Sequence, residues 1–494
     1  MRKLLLLLCS TLPIIAFAQK ASNQRKPNII YIYADDMGIG ELGCYGQQQI
    51  KTPHLDQLAS EGMKFTKHYS GTAVCAPSRC MLLTGRHSGH SYIRGNYELG
   101  GFTDATEGGQ MPLPEGTYTI GHMLQNAGYV TGAIGKWGLG MFDNSGNPNK
   151  QGFDYFYGYL DQKQAHNYYP THLWENGHWD TLENEFFLVH SPLKPSDTGQ
   201  AAYDHFIGKE YSMDKLLEKS VQFIKQHKDQ PFFLYLPYTG PHVSLQAPKE
   251  AVAKYIGTFD EQPYRGNQGY ASTLHPKSTY AAMISYFDHN VGAIMELLQQ
   301  LGLDDNTVVM FSSDNGPTFH TGGINVDDFN SKLGMRGYKG QLYEGGIRAP
   351  FIVRWPGHVK AGTTSDLLSN QFDMMATFAA IAGIKAPEND GINILPTLEG
   401  KKQKEHHDFM YFEFPERGGQ LAIRVGDMKG IKTGMKKNHD APWQVYDLSK
   451  DPDEKNDIAG QNPQFIKQLD DIVKREHLRA HITEWEFIDP KTGQ

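Results

Sequence analysis

Three apolar runs, each breaking off into a short polar cluster, constrain this chain more than any other feature in it. Asn28-Ile29-Ile30-Tyr31-Ile32-Tyr33-Ala34 runs into Asp35-Asp36, and Phe232-Phe233-Leu234-Tyr235-Leu236 leads to Gly240-Pro241-His242. Thr307-Val308-Val309-Met310-Phe311 leads to Asp314-Asn315-Gly316. Short runs rich in β-branched and aromatic residues, without polar alternation, are strands covered on both faces, as in a parallel sheet between helices. Helical patterns lie between them: Pro53–Ser60, opened by Thr52-Pro53 and stopped by Gly62, then Asp214–Gln226, then Tyr280–Leu301. Alternating strand and helix is the signature of an α/β fold. In such sheets ligands bind beyond the carboxyl ends of the strands, and all three runs place their polar residues there.

The pattern changes after about Ala386. Leu395–Gly400, Phe409–Phe414, Ala422–Val425 and Gly430–Thr433 read as short strands or turns, and Pro463–Leu478 as a closing helix. The expected division is therefore a catalytic domain over 25–385 and a smaller α+β subdomain over 386–494. Residues 1–18 read as a secretory signal. Arg2 and Lys3 form the charged start, Leu4–Leu8 through Ile15 the apolar stretch, and Ala16-Phe17-Ala18 the cleavage site. That apolar stretch is too short and interrupted to span a bilayer, and no other segment is apolar enough. Cys9 stands too early, without preceding small residues, to be a lipidated cysteine. The expectation is an exported protein, periplasmic or secreted, with no transmembrane segment.

The net charge of −8 becomes about −10 once Arg2 and Lys3 are removed. An acidic protein has no long-range attraction for nucleic acid or for an anionic membrane, so any anionic substrate must be held by a local basic pocket and a metal. Of the four cysteines, Cys9 leaves with the signal. Cys44 in a Gly-rich loop and Cys80 inside a helical stretch are expected as buried free thiols rather than a bridge.

The remaining cysteine opens Cys75-Ala76-Pro77-Ser78-Arg79-Cys80-Met81-Leu82-Leu83-Thr84-Gly85-Arg86. Pro77 suits a first helical position, Gly85 a C-terminal cap, and Met81-Leu82-Leu83 provide apolar anchorage. Residue 75 then stands at a helix N-terminus, where unpaired backbone N–H groups favour an anion. The stretch resembles the signature of the type I, formylglycine-dependent sulfatases, in which the leading Cys is oxidised to an aldehyde and Cys-x-Pro-x-Arg is what the modifying enzyme reads. By itself so short a pattern also recurs by chance; here further segments match the family in order. Gln444-Val445-Tyr446-Asp447-Leu448 through Asp451-Pro452 resembles its C-terminal Tyr-Asp-Leu…Asp-Pro segment. The resemblance implies an alkaline-phosphatase-like fold, a mixed sheet sandwiched by helices with a smaller C-terminal antiparallel-sheet subdomain.

Asp35, Asp36, Asp314 and Asn315 are an oxygen-rich set suited to a hard divalent cation; with no His or thiolate among them, zinc is disfavoured. Each pair alone would equally serve a turn. In the family the matching positions, with the formylglycine derived from Cys75, bind one Ca²⁺. The family's remaining roles fall on Arg79, which holds and acidifies the nucleophile, and on the sulfate-binding lysines, Lys136 in Gly135-Lys136-Trp137-Gly138 and Lys339 in Gly337-Tyr338-Lys339-Gly340. Tyr343-Glu344-Gly345-Gly346-Ile347-Arg348 strengthens that second match. His242 matches the His that protonates the leaving oxygen.

One position departs from the pattern. Many relatives read Gly-Lys-Trp-His-Leu-Gly, and their His is thought to help release sulfate from the formylglycine. Here Gly138 stands in its place. His166, in Asp161-Gln162-Lys163-Gln164-Ala165-His166-Asn167-Tyr168, is the candidate substitute.

His87-Ser88-Gly89-His90-Ser91-Tyr92-Ile93-Arg94-Gly95-Asn96 resembles exported bacterial carbohydrate sulfatases, which makes His90, Arg94 and Asn96, with His166, candidate sugar contacts. The implied substrate is a sulfated saccharide, galactose or N-acetylgalactosamine carrying a 4- or 6-sulfate at a chain end. The implied partner is a formylglycine-generating or anaerobic sulfatase-maturing enzyme. Three rivals remain: an aryl or steroid sulfatase, a phosphate or phosphonate ester hydrolase of the same superfamily, and an inactive sulfoglycan-binding protein.

Overall fold

A computed structural model of the chain describes residues 25–103 and 105–488. The expected signal segment, Cys9 included, lies outside the described residues. All three diagnostic runs are strands with every residue buried: Asn28–Ala34, Phe232–Pro237 and Thr307–Ser313. They are neighbours in one ten-stranded sheet, with Asn28–Ala34 in the middle and parallel to both of the others. Val130–Lys136 and Tyr155–Tyr159 continue the parallel part outward from Phe232–Pro237. Phe351–Arg354 joins the opposite side antiparallel, and the hairpin His172–Glu175/His178–Thr181 closes the far edge antiparallel, so the sheet is mixed.

Alternation along the central strand shows why it had to be apolar almost throughout. Ile30, Ile32 and Ala34 pack with Leu55 and Leu58 of the Pro53–Ser60 helix, Leu216 and Phe223 of the Ser212–His227 helix, and Ile284 and Phe287 of the Pro276–Gln300 helix. Ile29, Tyr31 and Tyr33 face the other way, onto Leu82 and Leu83 of Cys75–Thr84, Met123 and Leu124 of Ile120–Asn126, and Met374 and Phe378 of Met374–Ile381. Successive side chains of a strand point to opposite faces, so a strand covered on both sides leaves room for a polar residue only where it finds a partner, as Asn28 does by donating from Nδ2 to Thr307 Oγ1 at 3.0 Å. None of the helices among the described residues is long and apolar enough to cross a membrane.

A separate four-stranded antiparallel sheet holds Met410–Phe414, Gln420–Val425, Met428–Thr433 and Gln444–Asp447, with the Pro463–Glu476 helix after it. Leu395–Leu398, expected as a strand or turn, is a single helical turn that begins at Leu395-Pro396, where proline's fixed φ suits a helix start. The interface between this sheet and the main body is charged and buried. Lys429 Nζ lies 3.0 Å from Glu344 Oε1 and 2.9 Å from Glu454 Oε1, while Tyr69 Oη donates to Glu344 Oε2 at 2.6 Å. Cys44 and Cys80 are free, as expected, although Cys44 is only half-buried, and Cys75 forms no disulfide either.

Candidate active site

Register levels the strand ends. Ala34 pairs with Ser313 and Tyr33 with Pro237, so the residues that follow each strand meet. The Asp35 N–H donates to Gly240 O at 3.1 Å, and the Asp314 N–H to Ala34 O at 3.1 Å. Cys75 arrives from the other side on the Cys75–Thr84 helix, whose start lies two residues before Pro77. Proline is tolerated there because the first-turn N–H groups have no intrahelical partner. Gly85, at φ 66°, caps the helix as expected, its N–H donating to Met81 O at 2.9 Å.

Three carboxylates and three cations interlock around residue 75. Cys75 Sγ lies 3.2 Å from Asp35 Oδ1. Lys136 Nζ is 2.6 Å from Asp35 Oδ2, and Lys339 Nζ is 2.9 Å from Asp36 Oδ1. Arg79, fully buried, donates from Nε and Nη2 to Asp314 Oδ2 at 3.2 and 2.9 Å and from Nη1 to the Lys136 carbonyl at 2.8 Å. His242 Nε2 stands 3.7 Å from Asp36 Oδ2, and its Nδ1 donates to Val243 O. Every one of these side chains is buried, so their charges act in a low dielectric.

Burial alone would raise the Asp35 carboxyl, but Lys136, His242, Arg79 and Lys339 hold it well below the ordinary range. Asp36 and Asp314 go the other way, raised by burial and by the neighbouring Asp35 charge, Asp314 to about 7. Burial pushes the Cys75 thiol up, with Asp35 adding to it. Burial and the Lys339 charge hold His242 well below the usual imidazole value.

The donors present fit a hard cation. Asp35, Asp36 and Asp314 offer carboxylate oxygens, and Asn315 Nδ2 donates to Asp36 Oδ1 at 2.8 Å while its Oδ1 is buried with no hydrogen-bond partner. A buried amide oxygen left unpaired is costly unless something positive takes it. Asp35, Asp36, Cys75 and His242 each bring a ligand atom within 4.8 Å of the others, so His242, expected as the proton donor, borders this oxygen set.

The candidate sugar contacts divide. Asn96 is at the site, its Oδ1 accepting from the Ala76 N–H at 3.2 Å. His166 is there too, its ring stacked on His242 with centroids 4.8 Å apart and planes within 10°. Arg94 is corrected: its donors are spent on Glu413 Oε2 at 2.9 Å, Gly89 O at 2.8 Å and Ser91 O at 3.0 Å, which makes it a buried tie to the C-terminal sheet. His90 is corrected likewise, bound to Asp390 Oδ2 at 2.9 Å in a cluster with His87 and Glu476.

Gly138 sits at φ 71°, in the left-handed region, and a Cβ there would stand 2.9 Å from Gln162 Cγ. Gln162 occupies that side of the site, its Nε2 3.5 Å from Asn96 Oδ1. Gln162, His190 and Tyr270 were missed by sequence reasoning. Gln162 lies in the segment that flagged His166, whereas His190 and Tyr270 sit in loops with no motif around them.

The sulfatase family model matches residues 27–384, and the N-sulphoglucosamine sulphohydrolase C-terminal model matches 337–482. An N-acetylgalactosamine-6-O-sulfatase of Bacteroides thetaiotaomicron is 33% identical over 92% of this chain and 93% of its own length. Human arylsulfatase A is 32% identical over 95% and 92%. Among solved structures, Ps i-CgsB superposes with a TM-score of 0.73 at 28% identity, covering 94% of each chain. The chain belongs to the sulfatase family and is a sulfuric ester hydrolase.

Proposed function

We propose that this chain is an exo-acting carbohydrate sulfatase, hydrolysing a 4- or 6-O-sulfate on a terminal galactose or N-acetylgalactosamine. The observation that carries the reading is the convergence of Arg79, Lys136 and Lys339 on the carboxylates beside residue 75. A sulfuryl group develops charge on its oxygens as the ester bond breaks, and fixed cations in a buried site are the strongest means of stabilising it. Formylglycine at position 75 would supply the oxygen nucleophile, and one Ca²⁺ held by Asp35, Asp36, Asp314, Asn315 and residue 75 would supply positive charge against the sulfate. Lys136 and Lys339 orient the sulfate, and Arg79 holds the residue-75 side. His242, its Nδ1–H held by Val243 O, delivers a proton from Nε2 to the departing sugar oxygen from its imidazolium form, which the negative charge of a bound sulfate favours. His166 Nε2 takes up the proton that must leave the residue-75 side to reset the site, the task Gly138 cannot perform.

The nest is buried, with His242 against Asp36 and His166 stacked on His242, which suits a sugar at a chain end rather than mid-chain. The carbohydrate reading draws on the relatives, an N-acetylgalactosamine-6-O-sulfatase at 33% identity and Ps i-CgsB, which has been solved with k-i-k-neocarrahexaose. A catalytic domain over 25–385 with an α+β subdomain over 386–494, export by the 1–18 signal, and activation by a sulfatase-maturing enzyme complete the proposal. Sulfate release from a panel of defined monosulfated sugars tests it. Turnover is expected on the 4- or 6-sulfate of a galacto-configured sugar. Turnover of aryl or steroid sulfates alone, of phosphate monoesters alone, or of nothing despite full conversion of Cys75 would each replace it with one of the rivals.

A further inference from the structure

His190 lies outside every motif, on an exposed loop 24 residues beyond His166. Its Nδ1 contacts the Gly269 carbonyl oxygen, and a carbonyl can only accept, so the proton sits on Nδ1. Neutral His190 then has a lone pair on Nε2. His166 Nδ1 is 3.2 Å from that Nε2, and the contact is a hydrogen bond only if His166 donates from Nδ1. His166 Nε2, across the ring from His190, is left unprotonated.

The surroundings hold this arrangement in place. The His166 ring is stacked on His242, whose own Nδ1 is tied to Val243 O, so two parallel imidazoles are each fastened through Nδ1. Tyr270 packs against both His166 and His190, with centroids 5.7 and 5.6 Å away. The loops that carry His190 and Tyr270 are bound to each other, the Leu193 N–H donating to Arg265 O at 3.0 Å and Arg265 Nη2 to Lys194 O at 2.7 Å. Burial, with His242, Lys136 and the neighbouring charges, holds His166 well below the ordinary imidazole value and therefore neutral, which is the form a proton acceptor needs.

We propose that His190 is a positioning residue that locks His166 in its Nδ1–H tautomer, leaving Nε2 as the basic atom in a site where Gly138 offers no side chain. The proposal rests on the reading of His166 as proton acceptor given above, and it adds the residue that makes that reading work. An imidazole hydrogen-bonded through Nδ1 is oriented and made more basic at Nε2, as in other second-partner arrangements of catalytic histidines.

The tautomer can be read directly, on the full chain labelled with ¹⁵N in its imidazoles, by long-range ¹H–¹⁵N correlation at about pH 8, above the ordinary imidazole range. This readout does not require Cys75 to be converted, and His166→Ala assigns the signals. His166 is expected as the Nδ1–H form in the native chain and as a tautomer mixture in His190→Leu. His190→Gln, whose amide oxygen can accept from His166 Nδ1, should keep the Nδ1–H form. With 4-nitrophenyl sulfate and converted enzyme, His190→Leu should lower kcat about fivefold, the worth of one hydrogen bond, with KM little changed. His190→Gln should restore most of it. A native His166 in the Nε2–H form, or a His190→Leu protein whose His166 keeps the Nδ1–H form, overturns the proposal. If His190→Leu scrambles the tautomer but His166→Ala leaves kcat untouched, the positioning stands and the proton-acceptor reading of His166 falls.

Discussion

Restoring the histidine that relatives carry at position 138 should damage this enzyme rather than improve it. Gly138 has φ 71°, a conformation in which any L-residue with a Cβ costs about 1–2 kcal/mol. The new Cβ would stand 2.9 Å from Gln162 Cγ and 3.1 Å from Gln162 Cδ, so the middle of that side chain must move, not merely its tip. Gln162 Nε2 neighbours Asn96 Oδ1, which itself accepts from the Ala76 N–H in the first turn of the Cys75 helix. The displacement therefore propagates to the support of residue 75, where a shift on the order of 1 Å can cost about 100-fold in rate. Gly138→Ala, which brings the same Cβ, should lower stability by at least about 1–2 kcal/mol, the backbone cost plus the contact with Gln162. Gly138→His should lose as much stability, and about 10- to 100-fold in kcat/KM besides. Adding Gln162→Ala to Gly138→His relieves the contact, so the double variant should recover the steric part and keep the backbone part. Thermal unfolding and sulfate release on the three variants separate the two effects. A Gly138→His enzyme of unchanged melting temperature and higher kcat would refute the reasoning.

Three further outcomes follow from the same geometry. Chelation should abolish activity and Ca²⁺ should restore it; Asp314→Ala should weaken Ca²⁺ binding in a calorimetric titration and, by leaving the fully buried Arg79 without its main carboxylate partner, cost about 3–5 kcal/mol in a denaturant melt. Lys429→Ala should destabilise by a similar amount, about 3–5 kcal/mol by urea unfolding, because it leaves the buried Glu454 without its cation and removes one of the three cations around Glu344, where Arg348 and Arg424 remain. At His477, burial acts to lower the imidazole, but Glu413 at 2.7 Å and Glu486 at 3.2 Å raise it to about 9. A folded value above the unfolded one gives stability that is complete below about pH 6.5 and lost as the pH rises through about 9, worth at most about 3 kcal/mol before solvent screening. Unfolding measured across that window should show the decline in the native chain and not in His477→Gln.

The strands and the charged nest were legible in the sequence for one reason. A strand buried on both faces is almost wholly apolar along its middle, so the polar residues that follow, Asp35, His242 and Asp314, mark the site's edge just beyond the strand ends. Cys75, Arg79, Lys136 and Lys339 were found through local motifs whose residues turn out to lie together. His90 and Arg94 shared such a motif yet point elsewhere, because their partners, Asp390 and Glu413, come from some 300 residues downstream and nothing local reveals them. The same holds for His190: its value lies in two contacts, one to His166 and one to the Gly269 carbonyl, and a lone histidine in an exposed loop carries no sign of either. Gly138 was visible as a departure, but not that Gln162 had filled the space.

The account stands or falls on residue 75 as the source of the nucleophile. The most direct test prepares the chain at several degrees of Cys75 conversion, from a host lacking any maturing enzyme to one overproducing it. Intact mass gives the converted fraction, and sulfate release is measured on the same samples. Activity should rise in proportion to that fraction and pass through the origin, with Cys75→Ser inactive although folded. Substantial turnover by fully unconverted protein, or none by fully converted protein, would contradict it.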